Sequence, residues 1–386
     1  MDVLWDMETG DPDDFLTLLL LLGHPRVRLV GVTITPGTPD QVGVVRAALS
    51  WFGRSIPVGA FNLDHRTKGP PGQGRHGPRG MCVSSWHYRA YGPMPPSRDA
   101  VSGPELLAEL ANEATTLITG GPLRNLGAAL KIPGFRLGRL VVQGGFAGEG
   151  VVPTERQLPK FRGMTTCATY NLNGDPAAAL AVLASPSIAS KRFVSKNVCH
   201  GVVYDEAMHA TLAALRGRSR ALDLIWRGMD ASLRASASPR RPELPRNAAI
   251  AGAEVRLVVG EASPERMSTA EALRRAAALG LDLVAMTDEE VPIARVMPPR
   301  PPPRPRERPG KKLHDPLAAC CAIDPGVAEW AEVELYRESG RWGARLSPGS
   351  GVEIIVGYDP RRFLEVFTEV DAPAAGGASA TERGGE

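Results

Sequence analysis

Five carboxylates lie within nine residues near the start of the chain, in the segment DMETGDPDD. They belong to Asp6, Glu8, Asp11, Asp13 and Asp14. Like charges this close repel one another, so a folded protein that holds them together supplies a cation or keeps some of them protonated. Hard oxygen ligands suit Ca²⁺ or Mg²⁺ better than zinc or copper. The segment therefore predicts a metal site, unless it is a solvated acidic turn in which Asp13 or Asp14 only caps the next helix.

A further carboxylate stands beside a histidine late in the chain, in the segment LHDPLAACCAI. Asp315 opens the apolar run 317–323, for which it could be only a helix cap. His314 is an available proton donor at physiological pH. The pair is therefore a second candidate for acid–base or ligand chemistry, with capping as the alternative.

Two loops between these acidic segments carry residues that could contact a ligand. Gly120 and Gly121 follow the predicted strand 116–119, and glycines at such a turn let the backbone approach a ligand closely. Asn171 and Asn173 lie on the loop before Asp175, the predicted cap of a helix over 177–183. Each loop alone is weak evidence for a site.

Strands and helices are predicted to alternate along most of the chain. Apolar runs predict strands at 3–5, 27–34, 56–60, 116–119, 139–143, 192–197, 333–337 and 352–358. Helices are predicted at 13–23, 41–52, 103–114, 177–183 and 317–323. This alternation predicts a Rossmann-like α/β fold, with a mostly parallel sheet flanked by helices. Ligands in such sheets bind beyond the carboxyl ends of the strands, where the acidic segment begins.

The segment 61–103 interrupts this alternation and is rich in Gly, Pro, His and Arg. A loop of this length inside a compact domain is usually functional or mobile. Its aromatic residues Trp86, Tyr88 and Tyr91 are candidates for a lid over a pocket.

Composition indicates an ordinary globular protein, with 43% hydrophobic residues, 23% charged residues and a net charge of +3. That balance argues neither for nor against nucleic-acid binding. Five cysteines without a C-x-x-C pair predict free, mostly buried thiols in a reducing compartment. No targeting peptide precedes the first predicted strand, and the apolar run 15–22 is shorter than a membrane span of roughly 20 residues. These features predict a cytoplasmic protein that does not span a membrane.

Taken in order, the motifs resemble those of the inosine/uridine-preferring nucleoside hydrolase family. DMETGDPDD corresponds to the N-terminal aspartate cluster of the family, and TGGPLRNLGAAL to its second glycine loop. TYNLNGDPAAAL corresponds to its asparagine-bearing loop, and HDPLAACCAIDP to its C-terminal His-Asp segment. The resemblance covers residues 1–235 and 310–370. It implies a Ca²⁺-dependent enzyme that cleaves the N-glycosidic bond of a purine or pyrimidine ribonucleoside with water.

The resemblance also implies roles for individual residues. The metal ligands would be Glu8, Asp14, the main-chain carbonyl of Thr119 or Gly120, and Asp315. A carboxylate of the first loop would take a proton from the attacking water. Asp13 and Asn171 would bind ribose hydroxyls, with Asn173 as a further candidate for substrate binding. His314 stands where some members carry the acid that protonates the leaving base.

The first loop departs from the family pattern D-x-D-x-x-x-D-D, because it is one residue longer. Glu8 stands near the aspartate that acts as ligand and base, and Asp11 is the alternative occupant of that position. A misplacement of about 1 Å can cost on the order of 10²-fold in rate. Thr169 also stands where many members carry a ribose-binding Glu. The candidate catalytic residues are therefore Glu8, Asp11 and His314.

A second resemblance covers 240–297, between the two parts of the first. EVRLVV, MSTAEALRRAAALGLDLV and PIARVM resemble the N-terminal domain of translation initiation factor 3. Here Ser268 is the predicted cap of a helix with Glu271 at the capping-box position, and Gly280 ends that helix. The following PPRPPPRPRERPGKK predicts a stiff basic spacer that could touch RNA phosphates, or a solvated tether.

The predicted organisation is thus a hydrolase-like domain in two parts with an inserted β-α-β domain. The segments are 1–235 and 311–370 for the hydrolase-like parts, 240–297 for the insertion, 298–310 for the Pro/Arg linker and 371–386 for a disordered tail. The predicted ligands are a nucleoside and Ca²⁺. The alternative function is a catalytically weak scaffold whose residues 240–310 contact the ribosome or RNA. Base preference and oligomeric state stay open, as does a fusion artefact as the origin of the insertion. Members of the family often form dimers or tetramers, so a homo-oligomer is possible, but the insertion could block the usual interface.

Overall fold

The computed structural model describes residues 1–65, 82–237, 245–259, 263–287, 289–299 and 310–370, and the side chains of these residues except 235–237. The chain divides into two compact units, one of Met1–Ala235 with Gly310–Glu386 and one of Ser236–Pro309. Most of the predicted linker 298–310 and all of the predicted disordered tail 371–386 lie outside the described residues.

Seventeen strands are described, and β10–β13 belong to the smaller unit. In chain order they are β1 (Asp2–Met7), β2 (Arg28–Ile34), β3 (Val58–Ala60), β4 (Val101–Ser102), β5 (Thr116–Thr119), β6 (Leu137–Gln143), β7 (Thr166–Cys167), β8 (Ile188–Val194), β9 (Val203–Tyr204), β10 (Glu254–Val258), β11 (Glu265–Ser268), β12 (Asp282–Ala285), β13 (Ile293–Met297), β14 (Lys311–Lys312), β15 (Ala328–Glu338), β16 (Arg341–Leu346) and β17 (Val352–Tyr358).

The described α-helices are α1 (Pro12–Gly23), α2 (Pro39–Trp51), α3 (Ser85–Tyr91), α4 (Gly103–Leu110), α5 (Arg124–Ala129), α6 (Tyr170–Gly174), α7 (Pro176–Ala184), α8 (Lys196–Cys199), α9 (Glu206–Leu215), α10 (Arg220–Ala237), α11 (Thr269–Ala278), α12 (His314–Ile323) and α13 (Pro360–Phe367). Within the described part of the chain, no helix is both long and apolar enough to cross a bilayer.

The large unit is built on an eleven-stranded sheet in the order β4-β3-β2-β1-β5-β6-β8-β17-β15-β16-β7. The neighbours from β4 to β17 pair in parallel, whereas β15, β16 and β7 continue the sheet with antiparallel pairing. The predicted α/β fold, with a large, mostly parallel sheet flanked by helices, is therefore confirmed.

The central strand β1 shows why the sheet is covered on both faces. Val3, Trp5 and Met7 pack in one hydrophobic cluster with α1 and α12, while Leu4 packs in a second cluster with α5. Successive side chains of a strand point to opposite faces. Both faces of β1 are thus buried, and only its carboxyl end is open to hold polar groups.

Two predicted elements of the large sheet differ from the structure. The strand expected at 192–197 ends at Val194, and Lys196–Cys199 form a helical turn because the Ser195 hydroxyl accepts a hydrogen bond from Asn197 N. The expected final pair of strands is a set of three, since β16 returns after a turn at Ser339 and Gly340, both at positive φ. That extra strand carries the sheet on to β7.

The predicted aromatic lid is wrong for Trp86 and Tyr91. Trp86 is 3% exposed and donates from its indole to Gly228 O, while the Tyr91 hydroxyl donates to Leu224 O. Both rings also pack against Phe15. These aromatic residues fix α3 against α1 and α10 and do not line the pocket described below.

The smaller unit has a hydrophobic core of its own. Its four-stranded sheet has the order β11-β10-β13-β12, with β10 and β13 parallel and both outer strands antiparallel. Ser268 Oγ accepts from Glu271 N at the start of α11, and Gly280 has φ +65 after its end. The predicted helix with its cap and stop is confirmed, whereas β11 was not predicted.

Candidate functional site

A cavity of about 510 Å³ opens where strands β1, β5, β6 and β8 end. It is lined by Glu8, Gly10, Asp11, Asp13, Asp14, Gly120, Gln143, Gly144, Thr169, Tyr170, Asn171, Lys196, His200, His314 and Asp315. Because these four strands are parallel neighbours, the loops that follow them meet at one edge of the sheet. Helix α12 brings His314 and Asp315 to the same edge.

The first acidic loop is tied to helix α12 through Asp13. Asp13 Oδ2 accepts from His314 N at 3.0 Å and from Asp315 N at 3.5 Å. Asp13 therefore caps a helix, but a helix about three hundred positions further along the chain and not the one that it opens. At the start of α1 itself, the N-cap residue Asp11 makes no side-chain capping hydrogen bond.

Three buried carboxylates converge in the cavity. Carboxylate oxygens of Asp13, Asp14 and Asp315 all lie within 4.8 Å of one another, and each residue is at most 3% exposed. Burial and the neighbouring carboxylates raise the pKa of both Asp14 and Asp315 well above the usual range. Buried carboxylate oxygens this close together repel one another, and a bound cation would relieve that repulsion.

The surroundings of the triad fit a bound divalent cation. Asp315 Oδ1 is buried without a hydrogen-bond partner among the described residues. Gly120 faces the triad, and a Cβ there would come within 2.9 Å of Asp14 Oδ1 and of Asp315 Cγ. An all-oxygen donor set of this kind suits Ca²⁺ or Mg²⁺. These residues could therefore bind a metal ion.

Glu8 and Asp11 lie on either side of this triad. Glu8 N donates to Asp14 Oδ1 at 3.0 Å, and Tyr170 Oη donates to Glu8 Oε2 at 3.4 Å. Burial and the charges of Asp11 and Asp13 raise the pKa of Glu8 to about 7. Burial and the charge of Asp13 raise the pKa of Asp11 to about 6, against the opposing effect of Lys311.

Lys311 supplies a cation to the acidic loop that sequence reasoning missed. Its Nζ lies 2.5 Å from Asp11 Oδ1 and 3.1 Å from Asp13 Oδ1. Burial opposes its charge, but Asp13 and Asp11 raise its pKa above the ordinary value. The same ion pair helps to keep the pKa of Asp13 low in spite of burial. Its position four residues before Asp315 was the sequence feature that could have identified Lys311 as part of the site.

A buried carboxylate just outside the cavity supports the loop. Asp6 Oδ1 accepts from Thr33 Oγ1 at 2.6 Å and from Asn125 Nδ2 at 2.8 Å. Burial nonetheless raises the pKa of Asp6 to about 7. Asp6 thus joins β1, β2 and α5 beneath the acidic loop.

The structure separates the two candidate asparagines. Asn171 lines the cavity, and its Nδ2 donates to Gly120 O at 2.8 Å and to Gln143 Oε1 at 2.8 Å. Asn173 faces away, since its amide bonds Gly340 O and accepts from the Trp342 indole. Thr119 ends β5 and likewise is not among the residues that line the cavity.

A pair of histidines forms a further part of the cavity wall, and it adjoins the acidic loop where His314 Nδ1 lies 3.8 Å from Asp13 Oδ2. The rings of His200 and His314 stack at 4.6 Å between centroids and 19° between planes. Burial lowers the pKa of His314 to about 4 and that of His200 to about 2, and the positive charges of Lys196 and Lys312 act in the same direction. His200 was not predicted, although its place after strand β8 was a usable signal.

The histidine pair also lies near a buried thiol. Ligand atoms of Cys199, His200 and His314 lie within 4.8 Å of one another. A ring nitrogen directs its lone pair in the plane of its ring, so two nearly parallel stacked rings do not direct their lone pairs at one point. The arrangement therefore offers neutral imidazoles to a ligand in the cavity more readily than it chelates a metal.

Comparisons with known proteins identify a matching family and structures of similar fold. Residues 3–365 match the family model described as inosine-uridine preferring nucleoside hydrolase. A purine-preferring ribonucleoside hydrolase from Gardnerella vaginalis is 17% identical, with a TM-score of 0.56 over 95% of this chain and 97% of that one. A plant nucleoside hydrolase is 18% identical, with a TM-score of 0.55 over 95% and 97% of the two chains.

A third solved structure, an inosine-uridine preferring nucleoside hydrolase from Bacillus anthracis, is 18% identical. Its TM-score is 0.54 over 95% of this chain and 98% of that one. At these identities the likeness shows the fold. A comparison with curated proteins found no match.

Proposed function

The chain belongs to the inosine-uridine preferring nucleoside hydrolase family, and we propose that it uses Ca²⁺ and water to cleave the N-glycosidic bond of purine or pyrimidine ribonucleosides. The observation that carries the proposal is the buried triad of Asp13, Asp14 and Asp315 at the carboxyl ends of the central strands. It joins two distant motifs at the position where ligands bind in parallel sheets.

The cation would be held by Asp14 and Asp315, with Glu8 and the main-chain carbonyl of Thr119 or Gly120 as further ligands. Asp13 is the third member of the buried triad, but hydrogen bonds from α12 and the ion pair with Lys311 already engage both of its oxygens. When bound, the ion supplies a lowered pKa to a coordinated water and fixes the ribose hydroxyls.

Glu8 is the better placed of the two candidates for the general base. Its pKa of about 7 suits a group that must accept a proton at neutral pH. Asp11 is engaged at 2.5 Å with Lys311, which stabilises its ionised form and makes it a weaker base. Glu8 therefore takes the proton from the attacking water, and Asp11 positions Lys311.

The remaining residues orient the sugar and assist departure of the base. Asn171 is fixed by Gly120 and Gln143, so its amide group has one orientation towards the ribose. As the glycosidic bond lengthens, positive charge develops on the sugar ring, and the nearby carboxylates stabilise it. His314 Nε2 is buried without a partner among the described residues, and the lowered pKa of His314 keeps the ring neutral near pH 7, so His314 would take up a proton from the solvent before passing it to the leaving base.

The test is release of free ribose from inosine and from uridine by the purified full chain. We expect release with Ca²⁺, suppression by a calcium chelator, and recovery when Ca²⁺ is restored. Calorimetry must show in parallel that Ca²⁺ binds. Bound Ca²⁺ with no ribose release above a blank would reject the proposal.

A second candidate function concerns the smaller unit, for which RNA or ribosome contact is proposed through 240–310. In favour of a separate role, this unit has its own sheet and core. Several of its arginines are already paired with glutamates, including Arg256 with Glu289 and Arg266 with Glu254. Phosphate contact would therefore fall to other arginines, and the sequence of the Pro/Arg segment supplies four of them.

Co-sedimentation with small ribosomal subunits tests this second function. We expect the full chain to co-sediment and a chain without 240–308 to remain in solution. Replacement of Arg300, Arg304, Arg306 and Arg308 by Gln should weaken association and its dependence on salt. Equal association by all three proteins would reject the idea.

A further inference from the structure

The part of the cavity wall formed by His200 and His314 also carries a lysine that the proposed reaction has not used. Lys196 lines the cavity beside His200 and His314, and its charge lowers the pKa of both histidines. If the ribose and the cation lie at the acidic end, the base of the substrate lies against this wall. Lys196 then faces the base.

Lys196 is mounted on a rigid turn. Ser195 and Asn197, its two neighbours, are 0% and 2% exposed. The Ser195 hydroxyl accepts from Ala147 N at 2.9 Å, and the Asn197 amide donates to Ala147 O at 3.0 Å. Because both flanking side chains are fixed by hydrogen bonds, the backbone of Lys196 is held at one place beside the cavity.

The ammonium group of Lys196 has donor capacity to spare. It donates to Ala168 O at 2.9 Å, and the described residues place no carboxylate within ion-pair distance of it. An ammonium carries three N–H groups and accepts none. By contrast, Lys311 is engaged by two carboxylates. Lys196 can therefore still donate to a ligand, and its charge is not neutralised by a neighbour.

We propose that Lys196 recognises a keto oxygen of the nucleobase and stabilises the negative charge that gathers there during cleavage. The proposal rests on the proposed nucleosidase function and names its substrate class as ribonucleosides of keto bases. A keto purine such as hypoxanthine presents an acceptor to the ammonium group. Adenine presents an amino group, so two donors would face each other without a partner.

The same contact serves the reaction. When the glycosidic bond breaks, its electron pair stays on the base nitrogen and spreads by resonance onto the keto oxygen. Oxygen from water forms the new bond to the anomeric carbon, and the water gives one proton to Glu8. The departing base takes one proton through His314 from the solvent, and Glu8 later releases its own proton to the solvent, so the products are ribose and the neutral base. A fixed ammonium beside the keto oxygen stabilises the charge before that proton arrives.

The experiment compares kcat/KM for inosine and adenosine in the wild type, Lys196→Met and Lys196→Arg. Lys191→Met is the matched control, since Lys191 also donates to a main-chain carbonyl, Ile188 O, but does not line the cavity. We expect the wild type to favour inosine. Lys196→Met should reduce the inosine-to-adenosine ratio by about 10- to 100-fold, as expected for loss of a hydrogen bond to a charged group.

Lys196→Arg should retain most of the preference, and Lys191→Met should leave it unchanged. A ratio that is the same in the wild type and Lys196→Met would overturn the proposal. Calorimetry with free hypoxanthine and free adenine tests the proposed role of Lys196 independently of turnover. Lys196→Met should weaken hypoxanthine binding and leave adenine binding alone. If no nucleoside is cleaved, the proposed function fails, and the free-base binding still decides the role of Lys196.

Discussion

Five carboxylates line one part of the cavity, and Lys311 pairs with two of them; another part is lined by Lys196 beside two histidines. The acidic end carries more negative charge than its lysine can balance, and burial raises the pKa of Asp14 and Asp315 there. At the histidine end, burial and the positive charges of nearby lysines, Lys196 among them, lower the pKa of both imidazoles. The contrast fits the proposed reaction, in which a cation binds at the first end and negative charge develops against the second.

The largest expected effect comes from a substitution at Asp315, in the acidic part of the cavity. Asp315→Asn removes a carboxylate of the triad, so Ca²⁺ binding should be lost and ribose release should fall on the order of 1,000-fold, because a metal contributes several kcal/mol to such reactions. Calorimetry and ribose release measure the two effects. Asp324→Asn, at the other end of α12, is the control and should change neither.

The same substitution should stabilise the metal-free protein. The pKa of Asp315 is higher in the folded state than in the unfolded state, so the folded protein keeps this proton to a higher pH. The free energy of unfolding therefore falls as pH rises above the unfolded pKa. Asn does not ionise, so the variant should melt at a higher temperature than the wild type at pH 8 without metal. A lower melting temperature would indicate that Asp315 is structural instead.

Variants of Glu8 and Asp11 should differ from each other in kcat, by a smaller factor than the loss at Asp315. Glu8→Gln should reduce kcat by about 100-fold, the usual scale for a lost general base. Asp11→Asn should cost less than about 10-fold, because Asp11 contributes only by holding Lys311. In the wild type, kcat should rise with pH as Glu8 loses its proton, at or below about pH 7, and Glu8→Gln should abolish that rise. The opposite ranking of the two variants would assign the base to Asp11.

Gly120 probes how tightly the acidic end is shaped. In Gly120→Ala, the new methyl would press on Asp14 and Asp315, and we expect Ca²⁺ affinity to fall about 10-fold. Gly121→Ala is the matched control, since its Cβ would meet no atom closer than 3.3 Å. Equal affinities in the two variants would mean that the carboxylates can move apart without cost to the ion.

Asp6 is a useful comparison for the acidic cluster, because it is a buried carboxylate whose hydrogen-bond donors, Thr33 and Asn125, are both neutral. Its raised pKa means that stability falls as pH rises from its unfolded value near 3.8 to about 7 and then levels off. Thr33→Val removes one donor to the ionised form and should cost about 1 kcal/mol at pH 8, with a smaller cost at pH 5. Urea unfolding at the two pH values measures both. A cost that is equal at both values would mean that Thr33 does not stabilise the charge.

Local sequence patterns predicted the elements that position the acidic end. Strand β5 was placed at its observed bounds, and α1 and α12 were placed within a few residues, because apolar periodicity and flanking Pro or Gly decide such segments. Trp86 was misjudged as part of a lid, since nothing local reveals that α10 supplies the carbonyl for its indole.

The site was predictable where its residues belong to motifs and not where they depend on distant pairing. Asp14 and Asp315 were paired as metal ligands through the family resemblance, which matches both of their segments, and the structure brings the two carboxylates together. Lys311 reaches the loop only because β14 pairs with β9, and two residues of strand are too short to predict. Lys196 depends on the turn that the Ser195 hydroxyl makes, where a continuing strand was expected.

The hydrogen bond from His314 N to Asp13 closes a separation of 301 residues, and this distance matters during synthesis of the chain. At about 5–20 residues per second, the ribosome needs roughly 15–60 s between the two residues. Throughout that interval the nascent acidic loop has neither its helix partner nor Lys311. The smaller unit, Ser236–Pro309, is translated within the same interval and lengthens it. The cation site therefore comes into being only when the last helices emerge, and a truncated product would carry most of the sheet without it.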